Sequence, residues 1–530
     1  MIELTGETIE LKELQIPKAK ELAEYLLSDV HPAARLLGVK REPATGAEAV
    51  LFEVRVELSQ DRKFAILPNE KIAVSFSRED DILPEVISLR EDFPVVPHLN
   101  QRHEELPRSL CLYDLSYEAI KLRWTAHTFI ERVREWLSLT ADGKLHQEDQ
   151  PLEPLILGHF LPLILPATFF ADIAEEPARR KRFSVTGIMA GDGTPTAYRL
   201  VGESGDRPRE LSHVVTILIT APREHSIIRR IPLNLKDLIS LCETSGLDLV
   251  TQLKSDVPTW KDDATLRSLR LLLVIVFQKQ RASGTEITEP ETLGFELQCT
   301  VEDLGARLGL WARSPNGSLG AVIGIQEDTT DQVTVAIVNP VLELTKAAAA
   351  IFNGIVRNDE QFVMVGVGAL GSMLLSQLAR KGFGEWTILD SDTMLPHNGA
   401  RHLLPGEAAG FLKAPAVRSV VNVYYHENPV VTSLTRSSLR PGILKEEIDG
   451  AFRNAAAIID CSADVPTARS LSLEAIGAGR RVSLFLSPNG EHLVMLAEDR
   501  PRISMLDALE MQYYRCLLHT PGLTPWPWCA

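Results

Sequence analysis

Residues 361–413 read QFVMVGVGALGSMLLSQLARKGFGEWTILDSDTMLPHNGARHLLPGEAAGFLK, and the reading of this stretch decides the fold. A short apolar run, Gln361 to Val365, has strand character and passes directly into Gly366, Gly368 and Gly371 at the spacing G-x-G-x-x-G. Helical periodicity follows from Leu370 to Arg380, and a second strand, Trp386 to Leu389, ends on Asp390. In a strand, glycine turn and helix of this kind, backbone N–H groups can approach an anion at the helix N-terminus. The expected class is α/β, with a Rossmann-like, mainly parallel sheet in this part of a multi-domain chain.

The glycines alone suit a dinucleotide, which needs one further acidic residue for a ribose. More than that follows here. Asp390 and Asp392 form D-x-D, Asn398 and Arg401 form N-x-x-R, Lys413 lies beyond them, and Asp464 follows another strand, Ala457 to Asp460. A nucleoside triphosphate under attack by a carboxylate uses such a set, because cations must neutralise the phosphates and carboxylates must hold magnesium.

In residue types and order, the series from about Ile351 to Asp499 resembles the adenylating domain of the ubiquitin-activating and ThiF/MoeB/HesA superfamily. The resemblance implies ATP and Mg2+. Gly366, Gly368 and Gly371 would cradle phosphate, and Asp390 would hold the ribose. Asn398, Arg401 and Lys413 would bind the triphosphate, and Asp392 and Asp464 would position the metal. It also implies a second thiol on a loop well after the last aspartate, for which Cys516 and Cys529 are the candidates. Cys516 sits in MQYYRCLL, which looks helical and packed, and Cys461 directly follows a strand residue and is expected to be buried. The chain stops about where the family continues with its crossover loop and last strands, so the resemblance implies a truncated C-terminal domain.

A length of 530 residues exceeds what one core supports, and three domains are expected. The formal net charge of −16 argues against an extensive nucleic-acid-binding surface. The six cysteines include no C-x-x-C pair, which speaks against zinc knuckles and a disulfide framework and for a reducing cytoplasm. Glu3, Glu7 and Glu10 break any signal-peptide pattern. The most apolar stretch, Leu155 to Phe170, contains Pro162 and Pro166 and is short for a bilayer span, so no membrane association is expected.

Working outward to the N-terminus, Lys18 to Ser28 carries Ala19, Leu22, Ala23, Leu26 and Leu27 on one helical side. Alternation in Ala49 to Leu58 and Lys71 to Phe76 predicts two antiparallel strands, and Glu85 to Leu89 a third. Proline-rich DFPVVPHLN and then PRSLCL follow, with helical patterns at Tyr117 to Leu122 and Ala126 to Leu139. The order Pro97-His98, Asn100, Cys111-Leu112, Trp124 and Trp136-Leu137 resembles the ubiquitin-conjugating enzyme domain, an α+β unit with an H-P-N tripeptide ahead of its nucleophilic cysteine. Two features depart from that pattern: Leu99 stands where proline is usual, and the gap from His98 to Cys111 is longer. A thioester on Cys111 needs an exposed thiol and a donor for the oxyanion, which the Asn100 amide could supply. His98 is expected to brace the loop, and Asp114 is a candidate for orienting an incoming lysine.

The middle of the chain shows organisation without a site. Strands are expected at Val214 to Thr220, Leu271 to Phe277, Ser318 to Ile325 and Gln332 to Val338, with helices at Asn234 to Thr244 and Ala347 to Ile355. His213, His225, Arg223, Arg229 and Arg230 read as a solvated basic face. The expected division is a conjugating-like domain over residues 1–150, a linker domain over 151–345 and an adenylation domain over 346–530. Domain order and both motif sets resemble the bacterial activating and conjugating fusion proteins of CBASS anti-phage systems and related ubiquitin-like operons. That resemblance implies a homodimer through the adenylation domain. It also implies a partner with a C-terminal glycine, either a ubiquitin-like protein or a CD-NTase-type protein, and a target that receives it. A ThiF-like enzyme of sulfur transfer, or a non-catalytic scaffold with vestigial sites, would share parts of the pattern.

Overall fold

The computed structural model describes residues 2–519 except 29–30, 103–105, 114, 146–149, 151, 157, 159, 176–182, 202–210, 225–227, 229, 282–288, 315–317, 322–327, 426–428, 475 and 488–489. The chain divides into two compact units: Met1–Leu163 with Ala178–Pro340, and Ile164–Pro177 with Val341–Ala530.

In the first unit, helix α1 (Pro17–Leu27) buries Ala19, Leu22, Ala23 and Leu26. Leu27, expected on that face, is 64% exposed at the helix end. Strands β1 (Ala34–Arg41), β2 (Glu48–Arg55), β3 (Asn69–Phe76) and β4 (Glu85–Ser88) form an antiparallel meander. Alternation puts Val50, Phe52, Val54, Ile72, Val74 and Phe76 on the core face, where α1 and α3 (Ala126–Asp142) cover them. The sheet ends in two short strands, β5 (Leu99–Asn100) and β6 (Ser109–Leu110), with β6 between β4 and β5. Helix α2 (Tyr117–Lys121) lies between β6 and α3.

A second hydrophobic cluster of this unit centres on β10 (Arg270–Gln280), which is buried continuously from Leu271 to Phe277. Its neighbours are β9 (His213–Ile219), parallel to it, and β11 (Glu289–Thr300), antiparallel. Strand β7 (Ser184–Met189) pairs with β8 (Pro195–Val201), and β12 (Val335–Leu342) pairs with β11. Helices α4 (Leu235–Thr244), α5 (Leu249–Asp256) and α6 (Val301–Arg307) pack on β10 through Leu238, Leu253 and Leu304.

Two expectations for this region change. Residues 330–332 form a 3-10 turn held by Asp328, whose carboxylate accepts from the Thr330 N–H and hydroxyl, so the strand begins at Val335. His213 is not on a solvated face: it is buried, with Nε2 3.1 Å from Glu296. Arg223 and Arg230 are exposed, and His225 and Arg229 lie outside the described residues. Of the strand expected at Ser318 to Ile325, Leu319–Gly320 is a strand, and residues 322–327 lie outside the described residues.

The second unit is built on a mostly parallel sheet. It comprises α7 (Lys346–Phe352), β13 (Asn358–Val365), α8 (Ala369–Arg380), β14 (Phe383–Leu389), α9 (Lys413–Val421), β15 (Val431–Leu434), α10 (Lys445–Asn454), β16 (Ala457–Asp460), α11 (Val465–Leu473), β17 (Arg480–Leu486), β18 (Leu493–Ala497) and α12 (Leu506–His519). The strand order is β15-β14-β13-β16-β17-β18, parallel except for the last pair. The chain leaves β13 toward β14 on one side and later returns to place β16 on the other. The order therefore reverses between β13 and β16, where open α/β sheets form their ligand crevice beyond the carboxyl ends of the strands.

Candidate functional site

Val363, Met364 and Val365 are buried on β13 and carry the chain to that crevice. Gly366 turns it with φ +86, a left-handed conformation in which a Cβ would stand 2.7 Å from the Ser462 backbone. A Cβ on Gly371 would stand 2.1 Å from the Gly366 carbonyl oxygen, so the helix can lie against the turn only if that position is glycine. Gly368 differs from both: it is the N-cap of α8, makes no side-chain cap bond, and has nothing within 4 Å of a notional Cβ. Helix α8 thus presents an N-terminus without a side-chain cap, with open space before it, as a phosphate requires.

Residues that follow β14 fix the lip of the turn. Asp390 accepts from the Val367 N–H at 2.9 Å and from the Asp392 N–H at 2.8 Å. Burial pushes the Asp390 carboxyl above the usual range, against the pull of those hydrogen bonds and of Lys413. Lys413 is buried at the start of α9, its ammonium 2.9 Å from the exposed Asp392 carboxylate. The Asn398 side-chain oxygen accepts from the Leu395 N–H at 2.9 Å, shaping the 3-10 turn Pro396–Ala400, and the Arg401 N–H bonds the Asn398 carbonyl. The Arg401 side chain is exposed. Its neighbour His402 reaches back, Nε2 2.7 Å from the Val367 carbonyl, while Nδ1 accepts from the Leu404 N–H at 3.1 Å. That pair fixes the neutral tautomer with the proton on Nε2, and burial lowers the His402 pKa.

The structure thus brings Val367, next to Gly366, together with Asp390, Asp392, His402 and Lys413 in one hydrogen-bonded group, and the Arg401 and His402 N–H groups both bond the Asn398 carbonyl. Asp464 stands apart from this group: it is exposed and caps α11, accepting from the Thr467 N–H at 3.2 Å and hydroxyl at 2.7 Å. Sequence reasoning missed two participants. One is His402. The other is the buried Asp460, which accepts from the Ser462 hydroxyl at 2.6 Å and the Ser483 hydroxyl at 3.1 Å and so holds the segment that walls the glycine turn. A carboxylate closing an apolar strand was the available signal. A cavity of about 210 Å³ opens beside this segment, lined by Asp460, Asp464, Ser483, Phe485, Leu496 and Tyr514 among others.

The second candidate site lies in the first unit. Cys111 follows β6, is half-buried, and donates its N–H to the His98 carbonyl at 2.9 Å. His98 has φ +59, a conformation that costs a non-glycine residue about 1–3 kcal/mol and has to be held by its surroundings. Its backbone N–H donates to Glu153 at 3.0 Å, and its Nδ1 lies 2.9 Å from the same carboxylate. His98 thus contacts Glu153 through its backbone N–H and its ring, and Cys111 through its carbonyl. The Asn100 amide donates to the Ser109 hydroxyl at 3.0 Å and the Leu110 carbonyl at 3.1 Å, so both its N–H groups bond across the β5–β6 pair. From the opposite side Arg132 on α3 donates to the Leu112 carbonyl at 2.8 Å. Trp124 packs between Phe76 and Phe129, and Trp136 is fully buried. Asp114 lies outside the described residues.

The other thiols differ in kind. Cys461 is buried and its pKa is pushed up to about 12, and Cys242 likewise, by desolvation. Cys516 is helical as expected, but it is exposed on α12 rather than packed, because the helix buries only Leu506. Cys529 lies outside the described residues. Among the described residues no group of three His, Cys, Asp or Glu side chains gathers to hold a metal, and no helix is long and apolar enough to cross a membrane.

Two family models match the chain: Prokaryotic E2 family A over residues 23–176 and the ThiF family over residues 357–481. The chain is a fusion of a bacterial E2-like segment and a ThiF-like segment. A solved structure, the selenomethionine crystal structure of PaaA, is similar at 19% identity over 24% of this chain, with a TM-score of 0.20. The match spans 38% of that protein's length. No curated protein matches the chain.

Proposed function

We propose that the chain activates the C-terminal carboxylate of a ubiquitin-like or CD-NTase-type partner ending in glycine, and passes the acyl group through thioesters to a target. The single observation that carries the reading is the open, side-chain-uncapped N-terminus of α8 at Gly368, bordered by the Lys413–Asp392 pair, in the same chain as the half-buried thiol of Cys111. Division of labour follows residues 1–150 for conjugation, 151–345 as linker and 346–530 for activation, with the activating part dimeric.

ATP, when bound with Mg2+, supplies an α-phosphorus that the partner's carboxylate oxygen attacks, giving a mixed anhydride and pyrophosphate. The chain's residues bind and orient. The α8 N–H groups receive phosphate oxygens, Asp390 holds a ribose hydroxyl, and Asn398, Arg401 and Lys413 take up the charge of the departing pyrophosphate. With phosphate bound, Lys413 would pair with it in place of Asp392, and Asp392 with Asp464 would hold magnesium, which would supply charge neutralisation at the phosphates. Magnesium needs only one or two carboxylates when phosphates complete its shell, so a preformed three-carboxylate cluster is not required. A thiolate then displaces AMP from the acyl carbonyl. Cys516 is the exposed candidate and Cys529 the alternative. Cys111 takes the acyl group from that thiol, and a target amine displaces Cys111. From the resemblance to CBASS-type fusion proteins, the proposed setting is anti-phage defence in a bacterial cytoplasm.

The test is ATP-dependent attachment of a neighbouring-gene protein with a glycine C-terminus to the full chain, resolved with and without reductant. A thiol-labile adduct lost in Cys111→Ala is expected. Undiminished product from Cys111→Ala would favour sulfur-transfer adenylation, and absence of pyrophosphate exchange with every carboxylate partner would leave a scaffold.

A further inference from the structure

The cysteine loop is held by side chains far along the chain within the same compact unit. Glu153 grips His98 at two points, accepting its backbone N–H at 3.0 and 3.2 Å and lying 2.9 Å from Nδ1. Glu153 is itself anchored from β10 and β11. Its carbonyl accepts from the Lys279 ammonium at 3.0 Å, and Lys279, buried, pairs with Glu291 at 2.8 Å. Glu291 accepts from the Leu155 N–H at 2.9 Å and Glu289 from the Leu152 N–H at 3.0 Å. On the far side of β5, the Gln101 amide donates to the Leu155 and Ile228 carbonyls at 2.6 and 3.0 Å.

His98 transmits this restraint. Its left-handed backbone is unfavourable unless something holds it, and its carbonyl is the acceptor for the Cys111 N–H. A carboxylate that chelates both the amide and the ring of one residue fixes backbone and side chain together, unlike an ion pair between two flexible surface chains. If Glu153 is removed, His98 relaxes toward extended conformations and the Cys111 amide loses its partner. The geometry points to Glu153 as a positioning residue for acyl transfer at Cys111, supported by Lys279 and Glu291 of the linker segment. This rests on Cys111 being the acyl acceptor.

The experiment uses the full chain as wild type, Glu153→Ala and Glu153→Gln. Two rates are read on the folded fraction: alkylation of Cys111 by iodoacetamide, followed by peptide mass spectrometry, and single-turnover discharge of a Cys111 thioester to a free amine. Misplacement of a reacting group predicts about tenfold slower discharge in Glu153→Ala at unchanged dependence on amine concentration, and an altered alkylation rate. Glu153→Gln, which keeps an acceptor for the His98 N–H, falls between. Wild-type rates in both variants, with or without a lowered melting temperature, overturn the assignment, because a merely structural residue changes stability and not the rate per folded molecule. If Glu153→Ala does not fold, Glu153→Gln against wild type decides in the same way. If the wild type forms no thioester, the proposed function fails, and the alkylation rates still decide whether Glu153 positions the thiol.

Discussion

The glycine turn and the cysteine loop are built by opposite means. At the turn, the atoms that press on Gly366 and Gly371 are mainly backbone atoms of residues 366, 461 and 462. The shape there is set by steric necessity at Gly366 and Gly371. Around Cys111 the backbone adopts a conformation it does not prefer, and side chains at 132 and 153 hold it. A site made of backbone tolerates no added atom at its tight positions. One made of side chains fails when a distant partner is lost.

The largest expected effect is therefore at the turn. Gly371→Ala drives a Cβ into the Gly366 carbonyl and should destabilise the second unit by about 3 kcal/mol or more, read by denaturant unfolding. Gly368→Ala has no neighbour to meet and a φ of −70, so its unfolding should stay within about 0.5 kcal/mol of wild type while nucleotide binding weakens. Equal loss of stability in the two variants would break the distinction. Next comes Lys413→Ala. Its buried ammonium pairs with the exposed Asp392, so the fold should persist while nucleotide affinity falls by about 2 kcal/mol, measured by calorimetry.

The same contrast explains what could be read in the sequence. Strand, turn and helix over 361–380 were legible because glycine spacing and apolar periodicity are local, and so were the α1 and α3 faces. Strand β11 was hidden. Its sequence EPETLGFELQCT opens with glutamates and Pro290, and it carries Gly294, where a Cβ would stand 2.3 Å from Val338; that packing is invisible without the partner strand. His402 and Glu153 were missed for one reason. A histidine beside an N-x-x-R arginine and a glutamate in a proline-punctuated connector carry no pattern, and their roles arise only when residues 35 and 55 positions away arrive beside them.

His402 gives a pH prediction. Its folded pKa lies below the unfolded value of 6.5, so below that value the unfolded chain takes up a proton that the folded one resists. The contribution to stability is present above 6.5 and is lost as pH falls through the window beneath it. Melting of the second unit should drop as pH falls below about 6.5, and less so in His402→Gln. An identical slope in that variant would remove His402 as the cause. Asp390, whose pKa is raised by burial, acts with the opposite sign, and the His402→Gln comparison separates the two.

The smallest effect is expected at the cysteine loop's helix. Thr125 and Thr128 cap α3 reciprocally, the Thr125 hydroxyl accepting from the Thr128 N–H at 3.2 Å and the Thr128 hydroxyl from the Thr125 N–H at 3.3 Å. Thr125→Ala removes one exposed cap and should cost about 1 kcal/mol. Helix α3 also carries Arg132, which bonds the Leu112 carbonyl, yet Arg132 lies nearly two turns from the cap, where fraying of the first turn does not reach. Cys111 alkylation should therefore stay at the wild-type rate while unfolding shifts. A change in alkylation as large as that expected for Glu153→Ala would mean that the loop follows the stability of the whole helix rather than individual side-chain contacts.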